Sequence, residues 1–139
     1  MSTKKIMVVD DEAGILRVLD RTLRKAGYSV RGIISPREVV PLLQKEEFDL
    51  VLLDMVMPGV DGLELLRAVR QAAPRIPVIL MTGYASPDMI ASTMGAGAQS
   101  FMAEPFAPEE LISELSRVFS ESQCEDIAQQ TGGSDDAGL

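Results

Sequence analysis

Apolar residues fall in short blocks along this chain, separated by polar and turn-forming residues. Residues 6–9, 28–34, 49–53, 78–81 and 99–102 read as strands. Runs this short, rich in branched residues and bounded by turn signals, are the pattern of strands buried on both faces. Helical spacing fills the gaps. Ile15, Leu19, Thr22, Leu23 and Ala26 line one helix face, and Gly27 supplies its stop. Ser35-Pro36-Arg37-Glu38 combines an N-cap, a first-turn proline and a capping-box acid, predicting a helix to about residue 45. Asp61 and Glu64 form a second capping box for a helix over 63–72. Ser86-Pro87 opens a helix that Gly95 and Gly97 shorten, and Pro108 opens a last one with Leu111, Ile112, Leu115, Val118 and Phe119 on its apolar face. Strands alternating with helices predict an α/β, doubly wound, five-stranded parallel sheet. Right-handed crossovers leave few topologies, of which the order 2-1-3-4-5 is the expected one.

The chain is organised around residues 50–62, LVLLDMVMPGVDG. Four apolar residues run into Asp54, and Pro58-Gly59 followed by Asp61-Gly62 ends the strand. A carboxylate at the carboxyl end of a buried parallel strand lies where open α/β sheets bind ligands. Four other ends add to it: Asp10 and Asp11 after strand one, Thr82 after strand four, and Glu104 after strand five. In the 2-1-3-4-5 order strands one, three and four are neighbours, so three carboxylates and a hydroxyl converge. Carboxylates this close raise each other's pKa unless a cation joins them. Oxygen-only ligands suit a hard divalent ion, Mg²⁺ first, with Mn²⁺ or Ca²⁺ as alternatives.

Composition narrows the chemistry. With 139 residues there is room for one domain, predicted over 1–120, followed by a flexible acidic tail or truncated linker over 121–139. That tail holds five acids and no base, so the net charge of −8 leaves only 16 acids against 13 bases in the domain. No basic surface for nucleic acid results. The single cysteine, Cys124, excludes an internal disulfide. With no apolar run long enough for a membrane span and no signal-peptide pattern, a cytoplasmic setting is expected. The absence of histidine excludes histidine triads and histidine metal ligands.

At these residues the chain resembles the receiver domains of bacterial response regulators in two-component signalling. The stretches that carry the resemblance are KIMVVDDE, FDLVLLDMVMPGVDGLELL, IPVILMTGY and FMAEPF, and it extends from residue 4 to about 119. It implies a flavodoxin-like (βα)5 fold in which Asp54 accepts a phosphoryl group from the phosphohistidine of a histidine kinase or phosphotransferase. It further implies that Asp11, Asp54 and the backbone carbonyl of Val56 hold Mg²⁺, with Asp10 reaching it through water. Thr82 would bond the phosphoryl group, and Phe101 would be the aromatic switch. Partners follow by the same implication: a kinase or phosphotransferase against the first helix, where Arg17, Arg21 and Arg24 share a face, and a homodimer or output partner on the fourth helix, fifth strand and fifth helix. Glu104-Pro105 is the bond that is usually cis in such domains.

One residue departs from the family pattern. Glu104 stands where these domains place a lysine that pairs with the phosphoryl group. Such charge-assisted bonds are worth roughly 1.5–3 kcal/mol. Two readings follow: a receiver still phosphorylated on Asp54, or a degenerate receiver acting as a phosphorylation-independent interaction module. A third, an Asp-nucleophile phosphatase of another α/β family, requires a second Asp two residues after the nucleophile. Val56 occupies that position, and turnover of an external substrate is not expected.

Overall fold

The structure, a computed structural model, describes residues 3–83 and 86–121. The predicted tail beyond Glu121, Cys124 included, lies outside the described residues. Five parallel strands form the central sheet: β1 (Lys5–Val9), β2 (Ser29–Ile33), β3 (Leu50–Asp54), β4 (Val78–Thr82) and β5 (Ser100–Ala103). Their spatial order is β2-β1-β3-β4-β5, as the alternation predicts. The helices are α1 (Ala13–Lys25), α2 (Val39–Lys45), α3 (Gly62–Ala72), α4 (Pro87–Gly95) and α5 over residues 108–121.

The pleat divides each strand between two cores. Ile6, Val8, Leu50, Leu52, Ile79 and Met81 point to one face, where Leu19 and Leu23 of α1 and Leu111, Leu115 and Val118 of α5 cover them. Met7, Val9, Val51, Leu53, Val78 and Leu80 point to the other, against Val39 and Leu43 of α2 and Leu66 and Val69 of α3. All five residues of β3 and of β4 are buried, which explains their unbroken apolar runs. A bond from the Ser100 hydroxyl to Glu114 fastens β5 to α5.

Local differences from the sequence expectation have identifiable causes. Asp61 caps α3 as expected, its Oδ1 accepting from the amides of Leu63 and Glu64. The Ser35 box does not form. The Glu38 amide donates to the Ser35 carbonyl instead of the hydroxyl, Pro36–Glu38 make a single 3₁₀ turn, and α2 begins only at Val39. Strand two spans 29–33 rather than 28–34, and strand three runs through Asp54 itself. The turn after Asp54 is a small antiparallel hairpin pairing Val56–Met57 with Val60–Asp61. Its corner is Pro58-Gly59, with Gly59 at φ +73°, the arrangement of a type II turn.

Arg70 holds the far end of the sheet. Its guanidinium donates to the carbonyls of Ala73, Pro74, Ile76 and Gly97, so one side chain joins the α3 terminus, the loop into β4 and the α4–β5 turn. Burial lowers its pKa, and its Nε is buried without a partner.

Candidate functional site

Every strand of a parallel sheet ends on the same edge, and the register puts the predicted residues side by side there. Asp54 lies opposite Met81 and Thr82 opposite Ala103 across the ladders. The amide of Met55 donates to the Met81 carbonyl and that of Glu104 to the Thr82 carbonyl, at 2.9 and 2.7 Å. The strand ends are therefore fixed by backbone bonds, and the side chains project from a rigid rim.

Asp10, Asp11 and Asp54 meet as expected. Each offers an oxygen, and these oxygens lie within 4.8 Å of one another. Asp10 and Asp54 are buried, Asp11 half-buried. One oxygen of each buried acid has a backbone donor: Glu12 N–H to Asp10 Oδ1 at 2.9 Å, and Val56 N–H to Asp54 Oδ1 at 3.0 Å. The second oxygen of Asp10 is buried and, among the described residues, faces no amide, hydroxyl or cationic donor. A buried carboxylate oxygen without a donor is costly. It fits a cation, since the neighbouring side chains are themselves acids. The donor set, all hard oxygens, fits Mg²⁺ by the same chemistry.

The electrostatics follow from this crowding. Burial is the main cause that raises Asp10 to about 6, with Asp54, Asp11 and Glu12 adding repulsion against the relief from the Glu12 amide. Asp54 is likewise raised by burial, with Glu104 and Asp11 adding repulsion, while the Val56 amide and a side-chain hydrogen bond with Asp10 pull the other way. Glu104 is raised by burial and by Asp10 and Glu12. Glu104 is thus no detached surface acid: half-buried, it acts on the pocket and is acted on by it. Its bond to Pro105 is cis.

Thr82 is buried at the rim, and Phe101 is half-buried against the core on the α3 side. Val56 leaves its side chain exposed beside the pocket. The three arginines of α1 are not equivalent. Arg24 pairs with Asp20 at 2.8 Å and donates to the Val30 carbonyl at 2.9 Å, whereas Arg17 and Arg21 are exposed with no ion pair among the described residues. Sequence reasoning missed Gly62. A Cβ there would lie 2.5 Å from the Met55 carbonyl oxygen, so the helix after the pocket packs directly on the residue following Asp54.

Comparison with known proteins agrees with this geometry. Residues 6–116 match the model of the response regulator receiver domain. The chain is 38% identical over 111 residues to sporulation initiation phosphotransferase F of Bacillus subtilis, covering 80% of this chain and 90% of that protein. It is 37% identical over 116 residues to the DNA-binding transcriptional regulator NtrC of Klebsiella pneumoniae, covering 84% of this chain but only 25% of the longer protein. Among solved structures, a CheY-like receiver domain protein from Methanospirillum hungatei superposes with a TM-score of 0.85 at 31% identity, covering 89% of this chain and 99% of that one. The match spans both cores and the acid-lined edge, and the chain belongs to the response regulator receiver family of two-component signal transduction.

Proposed function

We propose that this receiver takes a phosphoryl group on Asp54 from a phosphohistidine of a kinase or phosphotransferase. The observation that carries the reading is the convergence of Asp10, Asp11 and Asp54, whose oxygens lie within 4.8 Å of one another. Phosphoryl transfer depends on positioning and charge neutralisation more than on covalent chemistry from the protein. Mg²⁺, when bound, would supply that neutralisation. Asp10, Asp11 and Asp54, with the Val56 carbonyl, are the groups that would hold it. The backbone amide of Val56 holds Asp54 Oδ1 in place. An Asp54 oxygen attacks phosphorus as the P–N bond to the donor histidine breaks, giving an aspartyl phosphate and a free imidazole. Thr82, at the adjacent strand end, would bond the new group, and Phe101 would repack in response. Among the described residues no lysine or arginine forms an ion pair with these acids, and Glu104 works against the added phosphoryl charge.

The donor would dock along α1, where Arg17 and Arg21 remain available and a groove with α5 runs past Arg21, Lys25 and Ile112. A second interface, for a like copy or an output partner, would be the α4–β5–α5 face. No described helix is long and apolar enough to cross a membrane, and a cytoplasmic place of action belongs to the same proposal. Intact mass after incubation with a small phosphodonor and Mg²⁺ is the test. One added phosphoryl group, lost in Asp54→Asn, is expected. No gain in the natural chain, with gain restored by Glu104→Lys, would overturn the reading in favour of an interaction module that works unphosphorylated. That second reading is favoured by the repulsion between Glu104 and Asp54.

A further inference from the structure

One face of α1 carries charge that the rest of the fold does not answer. Arg17, Arg21 and Lys25 follow one another at four-residue spacing, and all three are exposed. Among the described residues none of them forms an ion pair. Like charges one turn apart destabilise a helix when nothing opposes them. Arg21 and Lys25 also line an open groove between α1 and α5, together with Ile112, Ser113 and Ser116, and Glu109 is the one acid among its described lining residues. The opposite charge stands further along the same chain. Residues 122–139 follow α5 directly and bring Glu125, Asp126, Asp135 and Asp136 with no base.

We propose that residues 122–139 dock in the α1–α5 groove of their own chain, with Glu125 and Asp126 against Arg21 and Lys25 and Ile127 against Ile112. The reach is sufficient. Ser116 lies five residues before Glu121, the last described residue of α5, which is about 7.5 Å of helix. Glu125 and Asp126 lie four and five residues after it, which is about 13–18 Å of extended chain. A reversal of the chain after Glu121 thus brings the acid pair level with Ser116 and the two bases. Tethering sets the effective concentration on the order of millimolar, so ion pairs that are individually weak at a surface are enough to hold the segment. The consequence for phosphotransfer rests on the reading that the donor docks along α1: segment and donor would then compete for Arg21. The docking itself does not depend on that reading.

Amide NMR spectra of the full chain test it. The natural protein is compared with a neutral-tail variant carrying Glu125→Gln, Asp126→Asn, Asp135→Asn and Asp136→Asn. Resonances of residues 17–26 and 112–116 are expected to differ between the two. The difference should vanish in 1 M NaCl, where screening acts within about 3 Å. The same four substitutions should leave those resonances unmoved in an Arg21→Gln/Lys25→Gln background. Thermal unfolding checks that this background folds, and the salt arm tests the charge pairing without it. Differences confined to residues beyond Phe119 would overturn the docking, as would differences that persist in salt. Differences that grow with protein concentration would place the segment on a second copy and overturn the assignment to its own chain. These spectra need neither donor nor cation, so their outcome and that of the phosphorylation assay are read independently.

Discussion

Replacing Asp10 by asparagine should stabilise the cation-free domain. Asp10 is 1% exposed, and its carboxyl is held at about 6 against 3.8 for an ordinary aspartate. At about 1.4 kcal/mol per pKa unit, keeping it ionised in the fold costs roughly 3 kcal/mol. Asparagine keeps an oxygen for the Glu12 amide and offers an N–H to the Asp11 and Asp54 carboxylates. The expected gain at pH 7.5 in chelator is about 1–3 kcal/mol. The sign with pH is fixed by linkage. Between 3.8 and about 6 the folded Asp10 binds a proton that the unfolded one has released. Its stabilising contribution is therefore complete below 3.8 and disappears as pH rises through about 6. Asp54 and Glu104, also raised, act in the same direction. Denaturant unfolding in chelator from pH 4.5 to 8 measures it: the natural chain loses stability as pH rises, and Asp10→Asn has a shallower slope. An Asp10→Asn variant less stable than its parent at pH 7.5, with an unchanged slope, would refute the claim that this carboxylate is a buried cost.

Two further predictions concern the frame. Gly62→Ala places a methyl 2.5 Å from the Met55 carbonyl oxygen, a backbone atom that cannot move away alone. A loss of about 1–3 kcal/mol in urea unfolding is expected; an unchanged midpoint would mean that the contact does not restrain α3. Arg70→Met takes the guanidinium donor from the carbonyls of Ile76 and Gly97, leaves Ala73 with only the Ile76 amide, and removes the packing against Gly97. Each carbonyl left dry costs about 1–3 kcal/mol before water enters. The sum should appear as lost stability together with faster amide exchange in the α4–β5 turn. Stability loss without that local exchange would argue against a tie between the two segments.

The sheet was legible because strands buried on both faces cannot hide: β3 and β4 have no polar position before their last residue. The acid edge was legible for the same reason, since Asp10, Asp54 and Thr82 interrupt apolar runs at their carboxyl ends. What escaped depends on backbone partners, which leave no residue signature. Arg70 bonds to carbonyls of residues that look like ordinary loop, and Gly62 is required by a carbonyl rather than by a turn. The hairpin after Asp54 has strands of two residues, too short for alternation to register. Ser35 carried the letters of a cap, yet the Glu38 amide found its carbonyl first. Among the arginines of α1 the common face was readable, but the engagement of Arg24 with the Val30 carbonyl needed the β2 backbone in place.

Under the proposed reading protons and a divalent cation would compete for one pocket, the one that gathers Asp10, Asp11 and Asp54. Below the raised carboxyl pKa values a proton can relieve Asp10; above them a divalent ion has to. A ligand that binds only the fold adds RT ln(1 + [L]/Kd), about 2.7 kcal/mol at a hundred times Kd. That is similar in size to the roughly 3 kcal/mol cost of ionised Asp10. The stabilisation by added Mg²⁺ should therefore be small at pH 4.5 and grow as pH rises through 6. It should be largely lost in Asp10→Asn at every pH. The thermal midpoint with and without the ion, taken across that range, is the direct measure. A cation response independent of pH would place the ion away from Asp10 and separate the metal from the acid edge.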